Sequence, residues 1–262
     1  MSVVKMPRPS AAAVSRLFEP VEGTLILTVL QGHMGEVFAD DTKKPVCAMA
    51  KMSDLFFPAG DAAAASAEEL IAFAEGHVRA LGERDYFLMV PADEAWAALI
   101  EKTYPAFKAL ERYAVEMPNV FNVDRLTGLT RLPEGYEIAK IGREIYPVLL
   151  AEKWSRDFVS NFEDCGDFLS RGLGFVITCA GEPVGGASTF SVFDKGFEIQ
   201  VDIIESHRRR GLASAVCARL IFEGLARGLE PHWDAANMAS VGLAQKLGYR
   251  LKRKYKAYSV GL

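Results

Sequence analysis

Apolar and polar positions change period several times along this chain, and each change predicts an element. Gly35 to Ala39 (Gly-Glu-Val-Phe-Ala) alternates as a strand does. A polar turn from Asp40 to Pro45 follows, then a second apolar run from Val46 to Met52, which together predict a β-hairpin with a longer loop. Ser66 precedes Glu68 and Glu69 and opens an amphipathic run to Leu81, a helix with its acids in the first turn, where the helix dipole favours them. Ser10 is expected to cap a short helix through Phe18 that Pro20 ends. Tyr86 to Val90 predicts a strand, Pro91 and Asp93 start a helix through Lys102, and Leu110 to Met117 reads as a strand with Arg112 and Glu116 on one side.

Pro118, Gly128, Pro133 and Gly135 then punctuate the middle of the chain and place a domain boundary near Leu126. Residues 1–125 are expected to form a smaller N-terminal α/β domain that shapes the substrate, and residues 126–262 a second domain. The second begins with a strand, Tyr136 to Ile141, and a helix from Gly142 to about Trp154 with Pro147 in its early turns. After a short helical piece, Asp167 to Arg171, come strands at Gly174 to Ala180, Val184 to Val192 and Phe197 to Ile204, joined by tight turns and therefore antiparallel. The fold class is α/β with a mixed sheet, in the α+β sense.

Composition narrows the functions. With 30 Lys and Arg against 34 Asp and Glu, the net charge of −4 argues against a nucleic-acid partner. Cys47, Cys165, Cys179 and Cys217 form no C-x-x-C pair, and the four histidines are widely spaced, so no metal site is expected. Leu25 to Leu30 is too short to span a bilayer and nothing near the start reads as a signal peptide; a cytoplasmic protein with no membrane partner is expected.

The chemistry concentrates after the third of those strands. Glu205-Ser206-His207-Arg208-Arg209-Arg210-Gly211-Leu212-Ala213-Ser214 reads as a tight turn opening a long helix, with Leu212, Val216 and Leu220 on one face. Backbone N–H groups at such an end lack intrahelical partners, the dipole there favours anions, and glycine and alanine leave room for a phosphate oxygen. Further on, Pro231 to Asp234 predicts a short strand, and Asn237 and Ser240 lead into a helix that Gly248 ends.

Arg208, Gly211 and Ala213 resemble the R/Q-x-x-G-x-G/A motif of the GNAT superfamily of N-acetyltransferases, and Asn237, Ser240 and Lys246-Leu247-Gly248-Tyr249 its second acetyl-CoA motif. The stretches Pro231-His232-Trp233-Asp234, Gly35 to Asp41 and Phe56 to Gly60 are similar to the branch of that superfamily that includes the zwittermicin A resistance acetyltransferase, in which an extra N-terminal domain precedes the catalytic one. The resemblance implies acetyl-CoA as co-substrate, held by Ile203, Arg208, Arg209, Arg210, Gly211, Leu212, Ala213, Ser214, Asn237 and Ser240. It leaves the acceptor open; N-acetylation of a small-molecule primary amine is the leading expectation, with a homodimer as the expected assembly, and a protein or peptide amine and a non-catalytic acyl-CoA sensor are the alternatives.

On the strand from Phe197, Glu198, Gln200 and Asp202 alternate with apolar residues, so one face is expected in the core and the other to carry two carboxylates and an amide. The resemblance makes Glu198 the first candidate for the base and Asp202 the second, and either could instead bind a cationic amine. The tyrosine that many members place seven residues after the motif asparagine is Ala244 here, so Tyr249, Tyr255 and Tyr258 are weighed as acids and none is assigned. Lys252 to Lys256 alternates as a solvated strand face.

Overall fold

The computed structural model describes residues 3–7, 14–82 and 84–262; Ser10, expected as a helix cap, lies outside them. Contacts between residues divide the chain into Met1–Arg112 with Lys254–Leu262, and Tyr113–Arg253.

The first unit is built on strands β1 (Val4–Lys5), β2 (Glu36–Ala39), β3 (Cys47–Met52), β4 (Leu55–Gly60) and β5 (Tyr86–Met89), neighbours in that order, with helices α1 (Thr24–Leu30), α2 (Ala67–Leu81) and α3 (Glu94–Thr103). The predicted hairpin is present as antiparallel β2 and β3, while β4 and β5 run parallel through Leu55↔Leu88 and Phe56↔Met89. Its core gathers Met49, Phe56, Leu70, Phe87 and Trp96, and the Trp96 indole is satisfied by donating to the Gly60 carbonyl at 2.9 Å. Asp93 caps α3 by accepting from the N–H groups of Ala95 and Trp96. Ser66 stands at the start of α2 but does not cap it; its hydroxyl donates to Asp40 Oδ2 at 2.9 Å instead.

The second unit begins within β6 (Lys108–Glu116) and continues through α4 (Val123–Leu129), β7 (Tyr136–Lys140), α5 (Ile145–Ala151), α6 (Cys165–Arg171), β8 (Gly174–Cys179), β9 (Glu182–Phe193), β10 (Gly196–Ile203), α7 (Leu212–Ala226), β11 (Glu230–His232), β12 (Asp234–Ala235), α8 (Met238–Leu247) and β13 (Arg250–Gly261). Residues of β13 from Lys254 onward belong to the first unit, where Tyr258–Gly261 pair with β5. Leu126, at the expected boundary, is fully buried in α4 of the second unit. That short helix escapes the periodicity; Asn122 caps it by accepting from Arg125 N–H. Helix α5 is shorter than expected: it keeps Pro147 in its first turn, where no intrahelical N–H is needed, and stops where Glu152 turns extended.

Five strands form the sheet β11-β10-β9-β8-β7, antiparallel except for β10 and β11. A parallel neighbour needs a crossover, and α7 supplies it. The predicted strand at Pro231 to Asp234 is split: β11 runs parallel to β10, whereas β12 pairs antiparallel with β6.

Helix α7 lies against one face of this sheet at a contact only glycine permits. A Cβ on Gly224 would stand 2.7 Å from the fully buried Phe197 ring. Gly224→Ala is therefore expected to lower stability by about 1–3 kcal/mol through overpacking, against about 1 kcal/mol of helix propensity gained. Urea unfolding measures the difference, and a variant more stable than the parent would show that α7 can draw back freely.

Candidate active site

The central strand β10 is paired fully on one edge and only partly on the other. Against β9 it runs from Gly196 to Ile203, with a register shift where Glu198 faces Ser191 and Ile199 faces Thr189, so that Phe190 is the extra residue. The Phe190 carbonyl accepts from Asn161 Nδ2 at 3.0 Å. Against β11 the pairing covers only Gly196, Phe197 and Glu198. Ile204 donates to Val184 O on the β9 side, so strand alternation turns the backbone groups of Ile199, Val201 and Ile203 to the opposite edge. Beyond Glu198, no strand among the described residues occupies that edge.

This open edge leads to the predicted turn. A single 3-10 turn, Glu205–His207, precedes Arg208; Arg209 has φ +63° and Gly211 φ +82°, both left-handed. Gly211 stands at the start of α7 with no side chain capping the helix, and a Cβ there would meet nothing within 4 Å. The first intrahelical bond of α7 runs from Ala215 N–H to Gly211 O, so the N–H groups of residues 212–214 come before it and are the ones an anion at this end could meet. A negatively charged group therefore fits this end of α7, with the exposed Arg209 and Arg210 adding positive charge. His207 is anchored by Nδ1 to the Tyr136 hydroxyl at 2.8 Å.

The structure brings Asp202, Ile203 and Arg208 into one hydrogen-bonded group. Arg208 Nε donates to Ile203 O at 2.7 Å, its Nη2 reaches Asp202 Oδ1 at 3.3 Å, and Ile203 N–H donates to the same Asp202 oxygen at 2.7 Å. Both backbone groups of Ile203 are thus engaged within the protein, and the edge groups beyond the β11 pairing and that bonding are the Ile199 carbonyl and both groups of Val201. Sequence reasoning passed over these two, although their parity with Ile203 was available once the β11 pairing stopped at Glu198.

Asn237 and Ser240 form a second group. Asn237 Oδ1 caps α8 by accepting from Ser240 N–H at 3.0 Å, and Ser240 Oγ accepts from Trp233 Nε1 at 3.0 Å. Trp233 is buried with its ring 5.8 Å from that of Tyr249.

Among the described residues Glu198 is the one charged side chain that is buried, 5% exposed, and it lies in register between Ser191 of β9 and His232 of β11. The two acids of this face differ: α7 covers the Phe197 face of β10, and on the other the Phe158 ring stands over Gly186, in register with Asp202, so that Glu198 is buried while Asp202 stays 40% exposed. Along β9, the buried hydroxyls of Ser188 and Ser191 have no hydrogen-bond partner among the described residues. His232 Nε2 stands 3.1 Å from Glu230 Oε2.

The hydroxyls weighed as acids are all engaged. Tyr249 donates to Pro231 O at 2.6 Å, and burial first, then the neighbouring Cys217 and Glu198, hold its phenol well above the ordinary range. Tyr258 donates to Glu101, with burial the main cause of a pKa raised to about 12. Tyr255 accepts from Arg112 Nε at 3.2 Å. Ala244 is fully buried.

The order strand, glycine turn, long helix, short parallel strand and capped helix is matched in known proteins. Residues 15–258 match the family described as GNAT acetyltransferase. The chain belongs to the GNAT acetyltransferase family. It is 24% identical over 243 residues, 91% of its length and 90% of the other's, to an uncharacterized N-acetyltransferase, YdfB, of Bacillus subtilis (strain 168). The crystal structure of a GCN5-related N-acetyltransferase-like protein from Streptococcus suis 89/1591 superposes with TM-score 0.84 at 37% identity, covering 95% of this chain and 97% of that one. A GCN5-related N-acetyltransferase from Sphaerobacter thermophilus shares the fold at TM-score 0.57 and 13% identity, covering 99% of this chain and 95% of that one. The GNAT chain is thus an N-acetyltransferase, an acyltransferase of a family whose co-substrate is acetyl-CoA. Among the described residues no helix is long and apolar enough to cross a membrane, and no cluster of three or more His, Cys, Asp or Glu could hold a metal ion.

Proposed function

We propose that this enzyme transfers an acetyl group from acetyl-CoA to the primary amine of a small molecule, with Glu198 as the base. The observation that carries the reading is the place of Glu198: a buried carboxylate at the residue where β10 and β11 part, one position before an open strand edge that runs to the uncapped start of α7. The turn from Arg209 to Ser214 would hold the pyrophosphate, the edge groups of Ile199 and Val201 the amides of the pantetheine arm, and the Asn237–Ser240 group the wall beyond. The thioester supplies an activated carbonyl for the amine to attack; the C–N bond forms, the C–S bond breaks, and CoA leaves as a thiolate that takes up a proton. An ammonium group is no nucleophile, so the amine must shed a proton, and Glu198 is the carboxylate enclosed where that proton is released. The resemblance of Pro231 to Asp234 to the zwittermicin A resistance branch supports a small-molecule acceptor.

Thiol release from acetyl-CoA over a panel of small amines and lysine-containing peptides tests the reading. Turnover on small amines is the expected result. Tight binding of CoA with no turnover on any amine would overturn the catalytic assignment, and turnover confined to peptides would overturn the acceptor class.

A further inference from the structure

We infer that Asp202 and Arg208 form a clamp that sets the geometry of the phosphate turn, so that Asp202 acts as a positioning residue for acetyl-CoA and not as an acid or base. The inference rests on the proposed acyl-CoA reading of the same turn. Asp202 sits on β10, and Arg208 lies six residues on, past the 3-10 turn Glu205–His207. The Arg208 guanidinium folds back along the strand it has just left. Its Nε–H donates to Ile203 O at 2.7 Å, and its Nη2 donates to Asp202 Oδ1 at 3.3 Å. Asp202 Oδ1 also accepts the Ile203 N–H at 2.7 Å.

The consequence is geometric. Ile203 is the last residue of β10, and its N–H and C=O both face the edge left open beyond Glu198. The clamp satisfies both groups and closes that edge at its end, which leaves the Ile199 carbonyl and the two groups of Val201 as its open part. It also fixes where the chain departs: Arg208 has φ −66° and ψ 164°, and the next residue, Arg209, is turned into the left-handed region at φ +63°. A non-glycine residue there is strained and needs its surroundings to hold it. The planar guanidinium fork is suited to hold two acceptors at once, which a lysine cannot reproduce. A pair half open to water adds little to global stability, so what the clamp contributes is the position of the turn, not the endurance of the fold.

Two roles for Asp202 make opposite kinetic predictions. A positioning residue sets the affinity of the co-substrate; a base sets the rate of the chemical step. For Asp202→Asn the expected result is a KM for acetyl-CoA and a dissociation constant for CoA raised about tenfold, with kcat within about twofold of the parent. Arg208→Lys is expected to raise both by a similar factor. The double variant is expected to be little worse than either single one, because the two residues act as one unit. A fall in kcat of about a hundredfold or more in Asp202→Asn at unchanged CoA affinity would overturn the clamp and return Asp202 to the chemistry. Wild-type CoA affinity in both single variants, or additive effects in the double variant, would also overturn it. Thermal unfolding of each variant shows whether the fold survives. Should Asp202→Asn fail to fold, the Arg208→Lys measurement decides alone. Failure of the parent protein to bind CoA at all would sink the acyl-CoA reading itself, an outcome separate from failure of the clamp.

Discussion

Gly211→Val is expected to abolish measurable CoA binding at concentrations that saturate the parent, an affinity loss of well over about tenfold, or more than about 1.4 kcal/mol. The physical argument has two parts. At φ +82° and ψ −4° the residue occupies the left-handed region, where a side chain costs about 1–2 kcal/mol and a β-branched one is the worst fitted. The protein itself offers no obstruction, since a Cβ would meet nothing within 4 Å. The side chain therefore extends into open space at the start of α7, where the proposed acyl-CoA reading puts the phosphate. Calorimetric titration with CoA reads the affinity, and thermal unfolding separates it from a general loss of fold. Gly211→Ala is the graded control: it carries the backbone strain with less bulk, so its affinity should lie between the two. Unchanged affinity in the valine variant would refute the cradle.

The second large effect belongs to Glu198. Glu198→Gln is expected to lower kcat by about 10²–10⁴-fold while CoA affinity stays at the parental value. Glutamine keeps the shape of a side chain that is only 5% exposed, so the substitution removes the base without opening a cavity in the sheet. Steady-state turnover together with CoA titration separates a lost proton acceptor from a displaced co-substrate. Parental turnover in this variant would take Glu198 out of the mechanism. The contrast with Asp202→Asn makes the pair informative: on one strand, one carboxylate is expected to control rate and the other affinity.

Elements with strong local signals were legible in the chain. The amphipathic run to Leu81 ends where it should, at Gly82 in the left-handed region. The second motif was equally readable, since Asn237 and Ser240 belong to one helix start and their hydrogen bond spans three residues. Elements without such signals were passed over. Helix α1 is seven residues of mostly apolar sequence with no side-chain cap, and β4 contains Pro58, which argues against a strand. In the structure Pro58 keeps its place opposite Met49 of β3 and its carbonyl accepts from Ala92 N–H; the N–H that proline lacks lies on the β5 side, where the regular pairing stops after Phe56↔Met89.

The sequence by itself determined the glycine turn, the two helix starts and the antiparallel run of strands before them, because each depends on residues within about a turn or a hairpin of one another. The tertiary structure decided the rest of the site. It placed β11, some thirty residues downstream of β10, in register for three residues only, and so opened an edge. It buried Glu198 but left Asp202, on the same face of β10, partly open to water, a difference that alternation alone does not draw. It turned Arg208 back onto Asp202 and Ile203. Burial and pairing are properties of what arrives from elsewhere in the chain, and no local pattern of apolar and polar residues records them.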